Sequence, residues 1–266
     1  MKIFIGKQTP EHKGDTSREL IDMWEESGYC EVIRNKVDDV FLWANSPGDV
    51  LLYEYDRYDV YPGVPKFNRA LFAGMQHTSG VPWIYWARHP RKLESKINNG
   101  IKDYKDRKIN TIFLGKVENH VQKKNRTTHD WSAAIEEFSM PVRIGDSFTW
   151  PFTQEQYLEK ISISKFGLCL PGYGPKCNRE IELMGLGVVP LITENICTTY
   201  HDPLIEGQHY LKVNSPKDVK KVLETCPEAR WQFISYNCRK WYENNCSRLG
   251  SFETTRSIIK NIKQGR

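Results

Sequence analysis

Residues Leu170–Ile192 read "LPGYGPKCNREIELMGLGVVPLI" and place four glycines, a Lys, an Arg and two Glu in one short span. The apolar run "FGLCL" (166–170) precedes it, so the order is strand, glycine loop, helix "NREIELMG" and apolar strand "VVPLI". In an α/β sheet, ligands sit beyond the carboxyl ends of the strands, where such loops enter helices. Gly172 and Gly174 let a backbone approach a ligand closely, and free amides near Asn178–Glu180 would face an anion. Lys176 and Arg179 supply countercharge, and the guanidinium fork suits phosphate oxygens. Glu182 follows Arg179 by three residues and shares its helix face. An acid there suits ribose hydroxyls, so cation and acid together point to a nucleoside diphosphate. A plain turn with Arg179 and Glu182 paired on the surface explains the local chemistry equally well. Neither GxxxxGK[ST] nor GxGxxG after the first strand is present, which argues against a P-loop ATPase and a standard nicotinamide dehydrogenase.

Outward from this span, short β-rich runs alternate with helical ones. Strands are expected at 2–6, 31–34, 49–53, 83–87, 111–115, 141–145, 166–170, 188–192 and 209–213. Helices are expected at 16–27, 66–77, 129–138, 154–163 and 178–186. Alternation of this kind predicts an α/β fold with parallel sheets covered on both faces. "MKIFIGKQ" and "NTIFLGKV" each give a short strand ending in Gly-Lys, so the pattern starts twice. Two α/β domains are expected, 1–107 and 108–248, with a C-terminal helix over 249–266 packing back on the first. Ser215-Pro216-Lys217-Asp218 reads as N-cap, N1 proline and capping acid. Trp231, Ile234, Cys238 and Trp241 share one face of a later helix and are expected in the core.

The chain has 266 residues, a net charge of +5 and 39% hydrophobic residues, the composition of an ordinary globular protein. No apolar run approaches the roughly 20 residues of a membrane span, and no signal peptide is expected. Seven scattered cysteines without CxxC spacing predict free thiols, a cytoplasmic setting and no bound metal. Nucleic-acid binding would require a stronger basic stripe, whereas a small anion needs only two or three cations.

The segment "SKFGLCLPGYGPKCNREIELMGLGVVPLI" resembles the donor-binding half of exostosin-like glycosyltransferases. The family spacing runs from strand to Pro171 and Gly172, then Arg179, Glu182, Gly187 and Pro190. The resemblance covers roughly 110–247 and implies a GT-B fold, two Rossmann-like domains facing across a cleft. It implies an inverting, metal-independent transferase that takes a UDP-sugar donor and a glycan or glycoprotein acceptor, without a cofactor. Arg179 would hold the diphosphate and Glu182 the ribose. Arg126 would serve as the basic residue after the domain's first strand, with Lys116, Lys123 and Lys124 as substitutes. The absent anchor departs from the usual family pattern and implies a soluble bacterial-like or virus-encoded member, xylosyltransferase-like in its donor. A fucosyltransferase-like enzyme using a GDP-sugar is the alternative within this fold, and a non-catalytic nucleotide-sugar or carbohydrate-binding protein the alternative outside catalysis.

An inverting transfer needs a base for the acceptor hydroxyl and stabilisation of the leaving diphosphate. The base is expected from the first half. Asp15 and Asp56 lead, followed by His12 and Glu54, with Glu11 and the Arg88-His89 pair as further candidates. Tyr53, Tyr55, Tyr58 and Tyr61 interleave with these acids, as in a sugar-acceptor site and as in ordinary β-strands. Asp15 also reads as a helix cap.

Overall fold

The computed structural model describes residues 2–7, 16–38, 41–44, 51–55, 70–74, 81–82, 87–143, 150–172, 177–199 and 201–263. The chain forms two compact units, one of 1–91, 199–203 and 243–266, the other of 92–198 and 204–242. The sequence places the boundary near 107/108 instead.

The first unit holds a six-stranded sheet of β1 (Lys2–Lys7), β2 (Glu31–Asp38), β3 (Phe41–Ala44), β4 (Leu51–Tyr55), β5 (Ala70–Gly74) and β6 (Val81–Pro82), ordered β2-β1-β3-β4-β5-β6. It is mixed rather than parallel: β3 runs antiparallel to both β1 and β4, and the remaining pairs are parallel. Two residues separate Asp38 from Phe41, too few for the crossover that a parallel strand requires. The helix expected at 66–77 is corrected at its centre, where "ALFAG" is β5, in register with Leu51–Tyr55. A short apolar run fits either period, and pairing decides it.

Helix α1 (Thr16–Glu26) buries Leu20, Ile21, Met23 and Trp24. It packs on the C-terminal helix, for which Trp24 Nε1 donates to Ser251 Oγ at 2.9 Å and the indole meets Phe252 edge-on at 5.7 Å. Arg91 grips Glu26 through two parallel bonds of 2.6 and 2.5 Å, and His89 Nδ1 lies 3.9 Å from Glu19.

The second unit holds a fully parallel sheet of β7 (Ile109–Leu114), β8 (Glu137–Ser139), β9 (Ser164–Cys169), β10 (Val189–Ile192) and β11 (Leu211–Lys212). The order β11-β10-β9-β7-β8 is the doubly wound 2-1-3-4-5 pattern, with its switch point between β7 and β9. The helices of the chain are α1, α2 (Pro90–Asn98), α3 (His120–Arg126), α4 (Gln154–Ser162), α5 (Asn178–Gly185), α6 (Pro216–Thr225), α7 (Glu228–Asn245) and α8 (Arg248–Lys263), eight among the described residues. No described helix is long and apolar enough to cross a membrane.

Several boundaries follow from local chemistry. Thr153 and Gln156 form a reciprocal capping box at α4, and Ser215 caps α6 ahead of Pro216. Helix α5 ends in a Schellman turn: Val188 N–H donates to Leu183 O, Gly187 N–H to Met184 O, and Gly187 takes φ +66°, a conformation suited to glycine. Trp231, Ile234, Cys238 and Trp241 are all buried, as their spacing predicts.

The helix expected at 129–138 is absent. A 3-10 turn covers Trp131–Ala133 and β8 follows it. Trp131 is buried, and Phe138 stacks on Phe113 at 5.6 Å, so pairing and burial override a weak helical preference. At 141–145 the described residues show one bridge, Val142 to Val117, beside a proline that cannot donate to a ladder.

Candidate functional site

Strands β7 and β9 are neighbours, with Ile112 opposite Gly167, so their carboxyl ends at Leu114 and Cys169 open on the same side. Two guanidiniums converge there. Arg179, on the first turn of α5, donates from Nη2 to Leu114 O at 2.8 Å and lies 4.4 Å over the Phe113 ring. Its Nε and Nη1 have no hydrogen-bond partner. Arg126, at the end of α3, is 5% exposed. It donates from Nε to Pro171 O at 2.9 Å and from Nη1 to Lys116 O, with its guanidinium carbon 6.0 Å from the same phenyl ring.

The salt bridges among the described residues include neither arginine. Burial opposes both charges. For Arg126, burial and then the Arg179 charge bring the pKa down to about 10. For Arg179, burial pulls in the same direction but is outweighed by Tyr157, Cys177, Cys169 and Glu180, and the net movement is upward. Both remain cationic at neutral pH.

Space around them is tight. A Cβ at Gly172 would stand 3.2 Å from Arg126 Nη2 and 3.2 Å from Cys177 Sγ. A Cβ at Gly115 would stand 3.0 Å from Arg179 Nη2 and closer still to the Phe113 ring. These glycines admit the guanidiniums to the strand ends.

The acids near Arg179 sit deeper. Glu180 is fully buried, its Oε2 accepting from Cys177 N–H at 2.7 Å while its Oε1 has no partner. Burial raises its pKa to about 7, against the pull of Arg179 and the Cys177 N–H. Glu182 is 3% exposed and accepts from Tyr157 Oη of α4 at 2.8 Å. Tyr157 titrates well above its ordinary range through burial and the Glu182 charge. Burial likewise lifts the Cys177 thiol to about 12. Arg179, Tyr157 and Glu182 thus form one buried cluster beneath the strand ends.

Of the residues expected at the site, Arg126, Gly172, Arg179 and Glu182 come together here, and Asn178 opens α5. Gly174 and Lys176 lie outside the described residues, as do Glu11, His12, Asp15 and Asp56. The backbone of Glu54 lies in β4 opposite Ala73. Lys123 and Lys124 are exposed on α3, and Lys116 pairs with Glu118 at 2.7 Å. Sequence reasoning missed Phe113, Gly115, Asn125, Tyr157 and Glu180. Only Gly115, closing the strand "TIFLG", carried a local signal. Among the described residues no cluster of metal-ligating side chains occurs.

Chemically, the arrangement offers unpaired, buried, cationic N–H donors at a sheet's switch point, backed by the N-terminus of α5. That is an environment for an anion with several oxygens. Compared with known proteins, the chain matches no family model and no curated protein.

Proposed function

We propose that the chain is a glycosyltransferase of GT-B type that moves a sugar from a UDP-sugar to a glycan hydroxyl with inversion. The observation that carries this reading is Arg179. Its Nε and Nη1 are buried without a partner at the β7/β9 switch point, where a doubly wound sheet binds its ligand. The exostosin-like spacing around Arg179, Glu182, Gly187 and Pro190 supports it.

In this reading Arg179 takes the diphosphate and stabilises it as it leaves, the electrostatic task that a metal ion performs in other transferases. The α5 amides add their partial charge, and Lys176 and Gly174 belong to the same loop. Glu182 serves the ribose, with Tyr157 fixing one carboxylate oxygen. The base is one of four candidates, with Asp15 and Asp56 ahead of His12 and Glu54. Xylose is the sugar we propose for the donor.

Calorimetry with UDP, GDP and a panel of their sugars, in EDTA, tests this directly. Saturable UDP binding is expected, followed by UDP release on adding a glycan acceptor. Preference for GDP would move the protein to the fucosyltransferase-like alternative. Binding without any turnover would make it a nucleotide-sugar-binding protein. No nucleotide binding at all would overturn the reading.

A further inference from the structure

We propose that Asn125 and Arg126 are positioning residues: they hold the neck of the loop after β9 rather than the ligand. The inference rests on the donor reading above for its kinetic consequence, but not for its geometry.

The last turn of α3 presents both side chains to consecutive carbonyls. Arg126 Nε donates to Pro171 O at 2.9 Å and Asn125 Nδ2 to Gly172 O at 3.2 Å. A planar trans peptide points its N–H opposite its C=O. Holding Pro171 O toward α3 therefore turns the Gly172 N–H away from it. The Cys177 thiol donates to Leu170 O at 3.8 Å, and its sulfur stands 3.2 Å from where a Gly172 Cβ would lie. The neck is thus held through its carbonyls by α3 and abutted by Cys177.

The same guanidinium binds Lys116 O, so Arg126 fastens the loop after β7 to the loop after β9. Two of its donor groups are spent on backbone, whereas Arg179 keeps two nitrogens free. The division of labour follows: Arg179 meets the ligand and Arg126 holds its frame. A fixed frame matters because an anion site of oriented donors works only when those donors are pre-organised. A neck that contains Gly172 does not fix itself. Lysine cannot replace Arg126, because a single ammonium lacks the planar fork that reaches two carbonyls at once.

The test compares Asn125→Ala, Arg126→Gln and Arg126→Lys with Arg179→Ala. Two readouts are used: trypsin cleavage after Lys176 in the free protein, and donor KM against kcat. With the neck released, cleavage in the three α3 variants is expected to rise about tenfold, more than their loss of global stability accounts for. Donor KM should rise about fivefold and kcat change less than twofold. Arg179→Ala should leave the cleavage rate at the wild-type value. Unchanged cleavage in Asn125→Ala and Arg126→Gln, with UDP affinity lost only in the latter, would make Arg126 a ligand contact and overturn the proposal. The proteolysis arm needs no ligand. Failure of wild-type protein to bind nucleotide would therefore sink the donor reading while cleavage still decides this one.

Discussion

The two ends of the five-stranded sheet each bury arginine, and they use it in opposite ways. At the amino end, Arg107 is 3% exposed and every nitrogen of its guanidinium is satisfied. Nε donates to Lys102 O at 3.1 Å, Nη1 to Ser164 O at 2.7 Å and Ser162 O at 3.3 Å, and Nη2 to Leu186 O at 2.9 Å. These carbonyls include the last turn of α4 and the end of α5, where helix dipoles favour a cation. Trp231 covers the guanidinium at 4.9 Å. At the carboxyl end, Arg179 has one backbone partner and two unpaired nitrogens. Burial lowers Arg107 to about 10, whereas for Arg179 burial is outweighed by Tyr157, Cys177, Cys169 and Glu180 and the net movement is upward. A saturated buried guanidinium is a structural rivet, while one with donors to spare is arranged for something that arrives later.

The sharpest way to break this contrast is to remove each arginine. Arg179→Ala should lower transfer more than about a hundredfold, the scale of a lost transition-state donor, with little change in Tm. Arg107→Met should do the reverse. Leaving four carbonyls without their donor is expected to cost about 3 kcal/mol or more, read as a lower denaturation midpoint, while the folded fraction binds UDP as before. Equal effects of the two substitutions on binding and stability would erase the distinction.

A milder intrusion is Gly172→Ala. Its Cβ would press on Arg126 Nη2 and Cys177 Sγ at 3.2 Å, so a stability loss of about 1 kcal/mol is expected. Donor KM should rise more than stability alone explains, measured by initial rates beside a urea titration. The same alanine tolerated in both assays would show that the neck is loose.

The smallest effect is one of pH. Burial raises Glu180 from 4.5 to about 7. Between those values the folded chain keeps a proton that the unfolded chain has lost, so stability declines as pH rises across that window. Below it the group is protonated in both states, and the slope vanishes. Glu180→Gln should flatten the slope in urea titrations from pH 4.5 to 7. Affinity for a UDP-sugar, whose diphosphate does not titrate there, should drop about threefold from pH 6 to 8 as the carboxylate ionises near Arg179. A flat wild-type profile would place Glu180 in an ordinary environment.

Much of the second unit was legible in the sequence because its signals are local. The caps at Thr153 and Ser215, the glycine that ends α5 and the helical stripe of Trp231, Ile234, Cys238 and Trp241 each follow from spacing within a few residues. The end of β9 and the start of α5 were equally readable, and with them the placement of Arg179 near a strand end. The stretches "ALFAG" and 129–138 were not readable, because a short apolar run carries no period and a weak helix former yields to a strand partner far away in sequence.

The sequence by itself determined an α/β chain and a strand–loop–helix unit that carries Arg179. Tertiary structure alone decided that Glu182 is held by Tyr157 and that Arg126 spends its donors on backbone carbonyls. The physical reason is common to both. Periodicity and capping are written along the chain, whereas a polar group's role depends on which partners satisfy it, and those partners are brought together only by folding.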